Sequence, residues 1–176
     1  MKTFYMIVWL LPVIFMLHDF EEVIMIRAWL QRNKSYIRAR KGKPVPFNIQ
    51  ASTASFTVAV AIEFVILSVI TILSYLLDNY VVWYGAFAGF TVHLVFHLYQ
   101  WIRFKKYVPS ALTSVVFLPV CCYFLYKSAV FLGYDALTLI LSTLIFTVII
   151  AVNIAVLHKL MVRFDRWLDQ YKLTVN

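Results

Sequence analysis

Five uninterrupted apolar stretches constrain this chain more than any other feature: roughly 4 to 26, 51 to 77, 80 to 102, 110 to 132 and 136 to 158. A hydrocarbon core about 30 Å thick is crossed by about 20 helical residues, so each stretch is long enough to span a bilayer. The runs are continuous, whereas a membrane β-barrel needs apolar and polar residues to alternate along each strand. A soluble reading fails as well, since 63% of residues are hydrophobic and the mean hydropathy is +0.83. Four Gly and five Pro leave little material for loops. The expected fold is therefore all-α: a polytopic membrane bundle over residues 1–158, followed by a cytoplasmic amphipathic tail over 159–176.

The net charge of +8 does not point to nucleic acid, because the basic residues sit in short segments between the apolar runs. Such placement is a topology signal. Arg27, Arg32, Lys34, Arg38, Arg40, Lys41 and Lys43 fill the first connector; Arg103, Lys105 and Lys106 fill the third; Lys159, Arg163, Arg166 and Lys172 lie in the tail. These are fourteen of the sixteen Lys and Arg, and with five spans they fall on one side. The positive-inside rule then puts the N-terminus outside and the C-terminus in the cytoplasm, in an expected bacterial or archaeal plasma membrane. The first span is expected to be retained rather than cleaved as a signal, because it runs on into His18, Glu21 and Glu22. Lys43-Pro44-Val45-Pro46 should close the first connector without helix. Cys121 and Cys122 are adjacent inside an apolar run and read as small packing residues.

Ionisable side chains are costly inside a bilayer, so those that remain there mark cavities, partners or ligands. Late in the first span come His18, Asp19, Glu21 and Glu22; Glu63 lies in the second span, His93 and His97 in the third, Asn153 and His158 in the fifth. His18 and Glu22 are i, i+4 neighbours, as are His93 and His97, so each pair shares a helix face. Asp19 is expected to point elsewhere, toward the interface. His18, Glu22, His93 and His97 form a candidate ligand set for a divalent metal, since imidazole with carboxylate suits Zn, Fe or Mn. Glu21, Glu22 and His97 are the candidate catalytic groups, and Glu63, Asn153 and His158 the candidate supporting shell. A packing role is the competing reading for each His taken alone.

Leu10-Leu11-Pro12 through Leu17-His18-Asp19-Phe20-Glu21-Glu22, followed by His97, Lys105-Lys106-Tyr107-Val108-Pro109, Thr113 and Leu118-Pro119, resembles the HXXEE-motif family of small membrane proteins. Ser110 stands where that pattern places a Gly after the proline. The resemblance implies a membrane protein with a polar cluster of His18, Glu21, Glu22 and His97, and implies no activity. A looser similarity is to CAAX-protease-like membrane families, through Glu21-Glu22, Arg27, His93 or His97, and Asn153.

The expected function is an intramembrane His/Glu site, with or without a metal, acting in a hydrolase-like manner on a lipid or other apolar substrate that enters from the bilayer. A transporter or channel for protons, metal or a small solute is the alternative, and a membrane packing or assembly protein a third. The expected partners are membrane lipids and a second copy of the chain, not nucleic acid.

Overall fold

A computed structural model of the protein describes residues 2–39 and 52–173. Six helices and no strand occur among them: α1 (Lys2–Arg32), α2 (Lys34–Ala39), α3 (Thr53–Leu76), α4 (Val81–Phe104), α5 (Ala111–Leu132) and α6 (Ala136–Leu173). All but the short α2 are long and apolar enough to cross a membrane, which makes this an integral membrane protein. The proline-closed part of the first connector, with Arg40, Lys41 and Lys43, lies outside the described residues.

Two helices run beyond their expected spans. α1 continues to Arg32 because Arg27-Ala28-Trp29-Leu30-Gln31-Arg32 contains good helix formers and Trp29 is anchored. The Trp29 ring is buried, and its Nε1 donates to the Tyr107 carbonyl at 2.5 Å. α6 continues without a break into the tail, so its 38 residues extend about 57 Å at 1.5 Å per residue.

Pro12 sits inside α1 without breaking it. A proline has no N–H, so it leaves the carbonyl four residues earlier unpaired. Here that carbonyl belongs to Val8, and the fully buried Trp83 of α4 donates its Nε1 to it at 3.1 Å. The defect in one helix thus becomes a link to the next.

α4 is the central element and packs against α5, α6 and α3, while α1 packs against α3 and α5. The α4–α6 approach depends on two glycines four residues apart, Gly85 and Gly89, an arrangement that lets membrane helices come close. A Cβ on Gly85 would lie 2.5 Å from Phe146 Cδ2 and 2.9 Å from the Ser142 carbonyl; one on Gly89 would lie 2.8 Å from Ile150 Cδ1 and 3.1 Å from the Phe146 carbonyl carbon. The Phe146 ring can rotate, but the Ser142 backbone can yield only if the helices part. Gly85→Ala is therefore expected to destabilise the detergent-solubilised protein by about 1–3 kcal/mol. A thermal unfolding scan beside wild type checks this, and an unchanged melting temperature would show that the two helices do not rely on that approach.

Candidate functional site

α1 and α4 bring their histidines together at the end of the bundle that carries the basic segments. His18, Glu22, His93 and His97 each offer a ligand atom, and these atoms all lie within 4.8 Å of one another. His18, Glu22 and His97 are buried and His93 is half-buried. His97 Nε2 stands at the centre, 2.7 Å from His93 Nε2 and 3.2 Å from Glu22 Oε1. The His18 ring lies beside both other imidazoles, its centroid 5.2 Å from that of His97 and 5.9 Å from that of His93.

Two ring nitrogens at 2.7 Å cannot both present bare lone pairs to each other. A proton or a cation has to lie between them. The contact is met either by one neutral imidazole donating its N–H to the other or by a cation shared between them, with the Glu22 carboxylate alongside.

A second layer of contacts orients His18. Its Nδ1 is 3.0 Å from Thr113 Oγ1. The Thr113 hydroxyl also lies 2.6 Å from Glu21 Oε2 and 3.3 Å from the Ser110 carbonyl, and a carboxylate and a carbonyl can only accept. Its single proton is therefore committed to one of them, and it receives from His18 Nδ1–H. That fixes the neutral tautomer with a lone pair on Nε2, an atom that is buried and has no hydrogen-bond partner among the described residues. Fixing a ligand imidazole through its other nitrogen is how metal sites orient their histidines.

Glu21 was expected beside Glu22 as a base or ligand, and the structure places it elsewhere. Glu21 Oε1 accepts from the Tyr107 hydroxyl at 2.6 Å and from Leu112 N–H at 3.4 Å, and Oε2 accepts from Thr113 N–H at 2.8 Å. With the Thr113 hydroxyl this makes four donors on one side chain. Leu112 and Thr113 open α5, whose first turn has no acidic residue and whose cap, Ser110, makes no side-chain capping bond. Glu21 supplies the missing acceptor from another helix and meets the positive end of the α5 dipole. Sequence adjacency hid this division, because neighbours on a helix point about 100° apart.

The other expected residues divide as well. Asn153 Nδ2 donates to Glu63 Oε1 at 2.6 Å, linking α6 to α3 beside the four-residue group and not within it. Asp19 is 5% exposed, which corrects the expectation that it points to the interface. His158 is exposed on α6 and stands apart from the group. Two residues absent from the expected site, Tyr107 and Thr113, turn out to support it, although both belong to the stretch that carried the family resemblance. Ser110 adopts φ 70°, the left-handed region that favours glycine, which accounts for the Gly of the family pattern. Its fully buried side chain lies next to the Glu22 carboxylate.

The model of the family described as "Protein of unknown function with HXXEE motif" matches residues 9–124 of this chain, about two thirds of it. The chain belongs to that family. His18 and Glu22 are the first and last residues of its motif here, so the motif delivers two members of the cluster and, in Glu21, the cap of α5. No curated protein and no solved structure matches the chain.

Burial, and then the Glu21 carboxylate, push the Tyr107 phenol above its ordinary range. The folded protein therefore retains that proton where the unfolded chain would release it, so the contribution is complete below about pH 10 and declines as pH rises above it. One measurement with two variants checks the support network. Histidine nitrogen NMR in detergent should show the Nδ1–H tautomer at His18, kept in Thr113→Ser and lost in Thr113→Val. Retention of that tautomer in Thr113→Val would mean that the hydroxyl does not set it.

Proposed function

We propose that the protein is a membrane-embedded divalent-metal protein whose His18, Glu22, His93 and His97 side chains hold the ion and act, hydrolase-like, on a lipid or other apolar substrate arriving from the bilayer. The observation that carries this reading is the convergence of three imidazoles and one carboxylate from two helices, with the His18 lone pair on Nε2 fixed by Thr113. The donor chemistry suits Zn, Fe or Mn. Such an ion would supply Lewis acidity.

The chain's own groups have distinct tasks. His18 is oriented from behind through Thr113 and Glu21 and presents Nε2 inward. Glu22 brings the negative charge that offsets a divalent cation, and either of its oxygens can accept a proton from a nucleophile. His97, at the centre, links Glu22 to His93. His93, less buried than the other three, is the side from which a substrate in the bilayer would approach.

Purification in mild detergent followed by metal analysis tests the centre. About one divalent ion per chain is expected in wild type, with a loss of tenfold or more in His97→Ala and in Glu22→Gln. Glu22→Gln keeps the shape and hydrogen-bonding reach of the side chain but removes its charge, so expression and melting temperature should stay near wild type. A wild type without metal, or equal metal in both variants, would overturn the reading.

The same proposal places the N-terminus outside and the C-terminus in the cytoplasm, supported by the basic segments at one end of the bundle. Protease accessibility in intact cells should therefore cut an N-terminal tag and spare a C-terminal one. Protection of both tags, or cleavage of both, would contradict five crossings.

A further inference from the structure

Between α3 and α6, at the basic end of the bundle, lies a cavity of about 350 Å³, away from the four-residue cluster. Its walls are Ala59, Ile62, Leu157, Leu160 and Phe164, with Arg163 at the end nearest the tail. That volume falls within the range of small-ligand pockets. Both of its polar ends are closed. One turn beyond Ala59 and Leu157, Glu63 and Asn153 bond to each other at 2.6 Å. At the opposite end Asp165 accepts from Ser52 N–H at 2.7 Å, from Ser52 Oγ at 2.5 Å and from Ser55 Oγ. Apolar surface is left between two satisfied latches, and Arg163 is the only charged residue lining it among the described residues.

The helix surface around the mouth is divided into two ridges. Lys159, Arg163 and Arg166 recur at i, i+4 and i+7, so they form one basic ridge along α6. Leu160, Phe164 and Trp167 form the adjoining ridge, continuous with the cavity wall, with Phe164 and Trp167 ring centroids 5.3 Å apart. Trp167 is 54% exposed, as an indole at a membrane interface would be. The acidic residues nearby do not neutralise the basic ridge. Asp165 is taken up by the serines, and Asp169 pairs with Lys172 at 3.0 Å.

We propose that this groove binds one acyl chain of an anionic phospholipid, with the lipid phosphate at the ridge of Lys159 and Arg163 and the chain between α3 and α6. A phosphate needs a cation at the interface, and each basic residue near an anionic surface contributes about 1 kcal/mol. The chain needs an apolar slot immediately deeper. The groove offers both in the order in which a lipid presents them. This site does not depend on the metal centre.

The test uses the full chain in mild detergent, exchanged into mixed micelles containing either dioleoylphosphatidylglycerol or dioleoylphosphatidylcholine. Native mass spectrometry then counts retained lipid. About one phosphatidylglycerol per chain is expected, with phosphatidylcholine retained about fivefold less, a difference of about one interfacial charge. Lys159→Ala with Arg163→Ala should bring phosphatidylglycerol down to the phosphatidylcholine level, whereas Arg163→Lys should not. Ile62→Trp, which fills the groove from its lipid-facing side, should reduce retention of both lipids. Equal retention of the two lipids by wild type, or retention unchanged in both the double variant and Ile62→Trp, would overturn the proposal. Metal content is not part of the readout, so a failed metal centre leaves this result interpretable.

Discussion

Inside a bilayer no water is available to satisfy a stray N–H or carbonyl, so each polar group has to find its partner within the protein. Around Glu21 that requirement joins three segments. The start of α5 exposes N–H groups, the α4–α5 connection brings the Tyr107 hydroxyl, and α1 supplies the carboxylate that accepts from them. Because Thr113 gives its N–H and hydroxyl to Glu21 and takes the His18 Nδ1 proton, the act of capping a helix also sets the orientation of a cluster imidazole. Removing the cap would thus disturb the site without touching any of the four clustered residues.

A related tie holds α3. It is capped locally, Ser52 Oγ accepting from Ser55 N–H at 3.1 Å, and Asp165 of α6 in turn accepts from Ser52 N–H and from both serine hydroxyls. α3 and α5 are the two spanning helices that begin at the basic end, and each has its N-terminus tied by a carboxylate from a helix that finishes there. A carboxylate brought from a distant helix costs more ordering than a local cap alone would, but it fixes relative helix position as well as helix end. In a bundle with little hydrophobic driving force between helices, such polar ties and close backbone approaches take over the work of positioning. The Val8 carbonyl freed by Pro12 and filled by Trp83 belongs to the same economy of satisfied groups.

Much of this was legible in the residues. The five spans follow from apolar length, and the pairing of His18 with Glu22 and of His93 with His97 follows from i, i+4 spacing on a helix. That the two pairs meet follows from the cost of burying them apart. What spacing does not contain is the rotation of one helix about another. Glu21 is i+3 from His18 and so shares its face nearly as well as Glu22 does; only the position of α5 separates their roles. Asp19 leaves the histidine face, and spacing alone does not show that α1 also packs against α3, so that this residue is buried rather than interfacial. Gly85-Ala86-Phe87-Ala88-Gly89 carries the spacing that permits the close α4–α6 contact, a signal that apolar length alone does not reveal.

The adjacency of Glu21 and Glu22 now has a physical account. A turn of about 100° between neighbours sends one carboxylate toward α5 and the other toward α4. Glu21 is surrounded by donors, two of them backbone N–H groups, and an amide there would set an NH₂ against groups that need an acceptor. Glu22 meets imidazoles whose nitrogens can donate or accept, so an amide can be accommodated and what is lost is charge. The two positions therefore tolerate the same substitution differently: at Glu21 the loss falls first on helix position and on the His18 tautomer, and at Glu22 it falls on the cation that the cluster can hold. A motif with two consecutive glutamates is in this protein one structural requirement and one chemical requirement, placed side by side because a single helix face cannot serve both neighbours.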